Sequence, residues 1–101
     1  MDPVLILCKG STDQIIESFS NISLNSIVRA LSDYHYMYRK MDSDRANLII
    51  DIMKQKFDAT QNEYPFLTSV YILGLPNRLD EFVLPSTDPI LVYKMKYSYL
   101  P

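Results

Sequence analysis

The chain opens on an unbroken apolar stretch, Val4-Leu5-Ile6-Leu7-Cys8, closed by Lys9-Gly10. A short continuous run of this kind predicts a strand buried within a sheet. Ser11 and Gln14 then stand at capping-box spacing ahead of Ile15, Ile16, Phe19 and Ile22, which fall on one helical face and predict a helix over 12–20. Ser23 heads a second helix in which Leu24, Ile27, Val28, Leu31, Tyr34, His35 and Tyr38 recur at three- and four-residue steps, the strongest periodicity in the chain. Asp42-Ser43-Asp44 supplies a cap and first-turn negative charge before Ala46, Ile49, Ile50, Met53 and Phe57, so a third helix is expected over 43–58.

Beyond Gln61-Asn62-Glu63 the pattern changes. Pro65, Pro76, Pro85 and Pro89 punctuate segments rich in β-branched and aromatic residues, a combination that argues for strands over 68–75, 81–84 and 90–100. In the last of these, Leu91, Tyr93, Met95, Tyr97 and Tyr99 alternate with Val92, Lys94, Lys96 and Ser98, giving one apolar and one wet face. The order β-α-α-α-β-β-β predicts an α+β fold: a small, mostly antiparallel sheet of three or four strands with three helices packed on one face. At 101 residues the chain has the size of one domain, spanning 1–101.

Hydrophobic residues make up 48% of the chain and charged residues 22%, which places it among sequences that fold. Ten Lys and Arg against twelve Asp and Glu give a formal net charge of -2, so no global basic field holds DNA or an anionic membrane. Lone Cys8 excludes an intrachain disulfide and a CxxC pair and favours a reducing, intracellular compartment, cytoplasmic or nuclear. No apolar run reaches the roughly 18 residues of a membrane span, and Met1-Asp2-Pro3 lacks the basic region of a secretory signal, so neither a membrane nor an exported setting is expected. Without export the sequon Asn21-Ile22-Ser23 would stay unmodified. Two Gly and three Ala against ten Ile and eight Tyr are the bias of an AT-rich coding genome, such as that of a virus or AT-rich microbe.

The chemistry-bearing residues are few. Lys9-Gly10-Ser11-Thr12 offers a single glycine before a helix start, short of the phosphate-loop spacing GxxxxGK[ST], and reads first as a tight turn with anion binding as the alternative. Cys8 and His35 could form a nucleophilic pair only if the fold joined them, and Asp33 and His35, two apart on a helix, point away from each other. Asp42 and Asp44 read as helix capping, since no further oxygen ligands follow at calcium-loop spacing. No catalytic set, metal set or cofactor loop is discernible, and no cofactor is expected.

The informative stretch is Tyr34-His35-Tyr36-Met37-Tyr38-Arg39-Lys40-Met41, which carries aromatic and apolar side chains around more of a helix than one core covers. Tyr36 lies opposite Tyr34 and Tyr38 on the helical wheel, and Leu48 and Ile52 widen the apolar stripe of the third helix. Aromatic residues, Met and Arg are enriched in protein interfaces. The sequence therefore points to a non-enzymatic protein–protein interaction module, a homo-oligomer or a subunit of a larger complex, with Tyr36, Met37, Arg39, Lys40, Met41, Leu48 and Ile52 as partner-binding residues. Two alternatives stand beside it. One is a nucleic-acid-binding accessory protein using Lys94, Lys96, Arg39 and Lys40 with neighbouring tyrosines, and the other is a small enzyme of unstated reaction.

Overall fold

A computed structural model describes residues 2–37, 40–58 and 62–97 of the chain. They form α1 (Pro3–Lys9), α2 (Thr12–Ser20), α3 (Leu24–Met37), α4 (Ser43–Lys56), α5 (Tyr64–Ile72), a 3₁₀ helix (Pro76–Phe82) and α6 (Pro89–Tyr97). Among the described residues there is no strand, so the fold is all-helical and the expected α+β sheet is absent.

Three elements match the periodicity closely. α2 begins with Ser11 accepting from the Gln14 amide while Gln14 Oε1 accepts from the Ser11 amide, the reciprocal capping box implied by the spacing. Ser23 Oγ accepts from the Ser26 amide at the head of α3, and Asp42 accepts from the Arg45 amide at the head of α4. Each cap satisfies an amide that the first turn leaves without a carbonyl partner.

The segments expected as strands are largely helical, and a proline stands at the start of each helix concerned. Pro3, Pro65, Pro76 and Pro89 all lie at the first or second position of their elements, where the missing N–H costs nothing and the fixed φ is already helical. Asp2 caps α1 by accepting from the Val4 amide, so residues 4–8 are helical, with Ile6 and Leu7 buried, and not a buried strand. Residues 68–75 divide between α5 and the turn that follows, in which Gly74 takes the left-handed φ of 75°. Residues 81 and 82 close the 3₁₀ helix, with Val83 extended behind it. The last segment begins with Asp88 accepting from the Ile90 amide, and its alternation resolves into helical steps with Val92 buried and Met95 packed against the core. Residues 98–100 of that expected strand lie outside the described residues.

α3 occupies the middle, packing on α1, α4 and α5, while α2 bridges α1 and α4 and the 3₁₀ helix seats α6 beside α5. The molecule measures 38 × 34 × 19 Å, and its thin dimension is that of two helix layers. Ile15, Phe19, Ile27, Leu31, Ile49, Ile50, Met53, Leu67, Leu79 and Phe82 are fully enclosed between them. Phe57, Phe66 and Phe82 form an aromatic cluster, with Phe57 edge-on to both others at 5.0 and 5.4 Å between ring centroids.

Long cationic side chains join elements remote in sequence. The Arg45 guanidinium donates to the Ile6 and Leu7 carbonyls, both at 2.9 Å, and so ties α4 to the last turn of α1. Positive charge there also opposes the negative end of the helix dipole. Lys56 Nζ donates to the Ser20 carbonyl at the end of α2. Between α1 and α2, Gly10 has an ordinary φ of -68°, but a Cβ there would stand 2.6 Å from the Ile6 carbonyl oxygen. Close approach, not left-handed backbone, requires this glycine.

Replacing the guanidinium leaves the Leu7 carbonyl without its charged donor. Arg45→Met is expected to cost about 1.5–3 kcal/mol, the range for hydrogen bonds to charged groups, reduced by removing the buried, unpartnered Arg45 Nε. Urea denaturation read by the midpoint at unchanged slope checks this value, and Arg45→Lys is expected to recover part of the loss.

Candidate functional site

α1 and the C-terminal half of α3 lie side by side, and a depression of about 390 Å³ runs between them. It is lined by Asp2, Val4, Leu5, Cys8, Asp33, Tyr36 and Met37. Helical geometry explains the grouping: Leu5 and Cys8 are one turn apart, as are Asp33 with Tyr36 and Met37. The core claims Ile6 and Leu7 from α1 and Ile27 and Leu31 from α3, which leaves the flanking apolar residues outside. Tyr36 is 89% exposed, Met37 63% and Leu5 46%. Two carboxylates, Asp2 and Asp33, are among the lining residues, and no cation is among those that the structure describes. Arg29, one turn before Asp33, lines an adjoining depression with Ser26 and Ala30.

A second apolar surface lies on α6. Ile90, Tyr93, Lys94 and Tyr97 are spaced i, i+3, i+4 and i+7, form one stripe and are all exposed. The Tyr93 and Tyr97 rings lie against each other with centroids 4.7 Å apart. Lys96 turns from this stripe to Asp80, with Nζ 2.6 Å from the carboxylate. Val83, Thr87, Pro89 and Val92 continue the surface toward the loop that precedes α6.

The residues selected from sequence separate into distinct environments. Tyr36 and Met37 share the α1/α3 groove. Lys40 and Met41 line a different depression, with His35, Asp42 and the turn at Ile72–Leu75. Ile52, 5% exposed, belongs to the protein's own core, whereas Leu48 is half-buried and lines a separate depression with Arg45 and Asn47. Arg39 and Tyr38 lie outside the described residues. Leu5 and the α6 stripe were missed, both because their segments read as strands; on helices, the steps from Leu5 to Cys8 and from Ile90 to Tyr97 would have revealed them.

Among the described residues, neither the Cys8–His35 pair nor a metal set around Asp42 and Asp44 is brought together. Cys8 faces the α1/α3 groove and His35 the depression beside Met41, so the pair is not formed. Asp42 is occupied as the α4 cap with Asp44 in the first turn. Among the described residues no three His, Cys, Asp or Glu side chains converge as a metal-binding group. Gly10 and Ser11 serve close packing and capping in the turn at 9–12. No family model, curated protein or solved structure matches this chain.

The strongest polar cluster is structural. All five Arg78 donors are engaged, two on Glu81, two on Asn47 and one on Asp51 at 2.6 Å, while Lys54 reaches Glu81 from the other side. The guanidinium thus fastens the 3₁₀ helix to α4 with no donor left for a ligand. Similarly, Thr87 Oγ1 donates to Glu63 and accepts from the Leu84 amide, holding the loop before α6 to the head of α5.

The Arg78 hydrogen bonds hold the Glu81 carboxyl well below its ordinary 4.5, at about 2, overcoming the opposing effect of desolvation with help from Lys54. A depressed folded-state value means that this stabilisation is complete above about pH 4.5 and is lost as the pH falls toward 2. Glu81→Gln is expected to lower stability at neutral pH and to flatten the acid limb in that window. Denaturant midpoints at neutral pH and about pH 3 test the difference between the two proteins.

Proposed function

We propose that this protein is a non-enzymatic interaction module whose principal docking surface is the α1/α3 groove. The observation that carries the proposal is the joint exposure of Leu5, Tyr36 and Met37 around one depression that Asp2 and Asp33 also line. A nearly free tyrosine ring beside a flexible thioether offers contact area at low ordering cost, the combination favoured where proteins associate. Nothing in the protein's own packing requires these side chains to face outward. The engaged state of Arg78, Asp42 and Thr87 also supports a binding role over catalysis, since these polar groups already serve the fold. The interaction is self-association, within a reducing intracellular compartment suited to the unpaired Cys8.

The nucleic-acid alternative gains one favourable feature. Helical spacing places Tyr93, Lys94 and Tyr97 on the same face, where strand alternation would have separated them. Against it, Lys96 is paired with Asp80 and Lys40 lines another depression, so among the described residues these cations do not converge with Lys94.

Sedimentation equilibrium is expected to show reversible self-association at micromolar concentration. Tyr36→Ala should change unfolding stability by no more than about 0.5 kcal/mol yet weaken association by about 1 kcal/mol or more. Melts and sedimentation are compared at matched protein concentration, because assembly itself raises apparent stability. A wild-type chain that remains monomeric to several hundred micromolar would remove the self-associating form of the proposal.

A further inference from the structure

Resting on the groove reading above, we propose that the occupant of the α1/α3 groove is α6 of a second copy of this chain, so that assembly is head-to-tail. The two surfaces are chemically matched. The groove offers Leu5, Tyr36 and Met37 beside the carboxylates of Asp2 and Asp33, which also line the adjoining depression with Arg29, and α6 offers Ile90, Tyr93 and Tyr97 with the ammonium of Lys94 in the same stripe. An exposed i, i+3, i+4, i+7 stripe is the pattern by which a helix enters an apolar groove between two others. Lys94 is then brought to these carboxylates, where opposite charge fixes the register of the apolar side chains. Lys96 is held by Asp80 in the depression that Tyr93 and Tyr97 also line, which leaves Lys94 as the cation of the stripe. The paired Tyr93 and Tyr97 rings are already in contact before docking, which lowers the entropy lost on immobilising them.

The two surfaces share no lining residue, and α6 is seated on the 3₁₀ helix and α5 while the groove belongs to α1 and α3. Each copy therefore retains one unused groove or one unused α6 after pairing. Such a contact is heterologous: it closes into a ring if the rotation between copies permits and otherwise extends as a chain.

The test uses two full-length variants that each remove one side of the contact. Tyr36→Gln with Met37→Gln blocks the groove, and Ile90→Gln with Tyr93→Gln blocks α6; all four positions are exposed, and far-UV circular dichroism with cooperative melting establishes that both variants fold. Each variant alone is expected to be monomeric under conditions where the wild type assembles. Mixed, they should form a 1:1 dimer that grows no further, because the first contributes an intact α6 and the second an intact groove. A charge test is independent of the apolar changes: Asp33→Lys should weaken assembly at least about fivefold, and adding Lys94→Glu to it should restore much of the loss.

If the wild type does not assemble, both the inference and its parent reading fall. If the groove variant is monomeric while the α6 variant still assembles, the groove reading stands and the head-to-tail contact is wrong. Two monomeric variants that give no dimer on mixing also overturn it, because the intact α6 of one and the intact groove of the other then fail to pair. Binding of labelled single-stranded RNA that is lost on Lys94→Glu, without any assembly of the protein, would assign α6 to nucleic acid instead.

Discussion

Short helices carry a high proportion of ends, and satisfying those ends is the constraint on which this structure depends. An element such as α1, with seven residues, has more terminal amides and carbonyls without an intrahelical partner than internal hydrogen bonds. Asp2, Ser11, Ser23, Asp42 and Asp88 answer the N-terminal amides from adjacent sequence. Arg45 and Lys56 answer carbonyls at the ends of α1 and α2 from much farther along the chain. The second group has the larger architectural effect, because a cap supplied by another helix also fixes where that helix lies. α4 is thereby tied to both of the first two helices, and its other flank is held to the 3₁₀ helix through Arg78.

This distinction between local and remote satisfaction separates what was legible in sequence from what was not. α2, α3 and α4 have apolar residues at helical spacing behind a capping side chain, and both signals lie within a few residues of each other. In α1 the apolar run is too short and too continuous to show a period, and the side chain that stabilises its end stands at position 45. α5 is similarly apolar all round, since it is covered by α3 on one side and by the 3₁₀ helix and α6 on others. Its first-turn proline carried the decisive information, but a proline at a helix start and a proline beside a strand look alike when the boundary itself is unknown. α6 misled differently: a β-like alternation of apolar and polar residues coincided with two overlapping helical stripes, one buried around Val92 and Met95 and one exposed around Tyr93.

The candidate site inherits the same division. Tyr36 was recognisable because its helix was, and its position opposite Tyr34 follows from helical geometry alone. Leu5 depended on seeing α1 as a helix, and the grouping of Lys94 with Tyr93 and Tyr97 depended on seeing α6 as one. Ile52 illustrates the opposite error: an apolar side chain beside a helix's main stripe is surplus only if no further element covers it. The structure thus redistributes the apolar excess detected in the sequence, assigning Ile52 of α4 to the interior and the excess of α1, α3 and α6 to the surface.

The 19 Å thickness gives this surface excess a further meaning. In a slab two helices deep, one layer of interdigitated side chains serves both halves, and every helix has a back that faces outward. Tyr36 and Tyr93 belong to such backs. A partner laid over either would convert the helix beneath it from an outer wall into a middle storey, enclosed above and below in the manner of helices within larger domains. Under the docking proposed above, the chain would supply two storeys and the second copy a third.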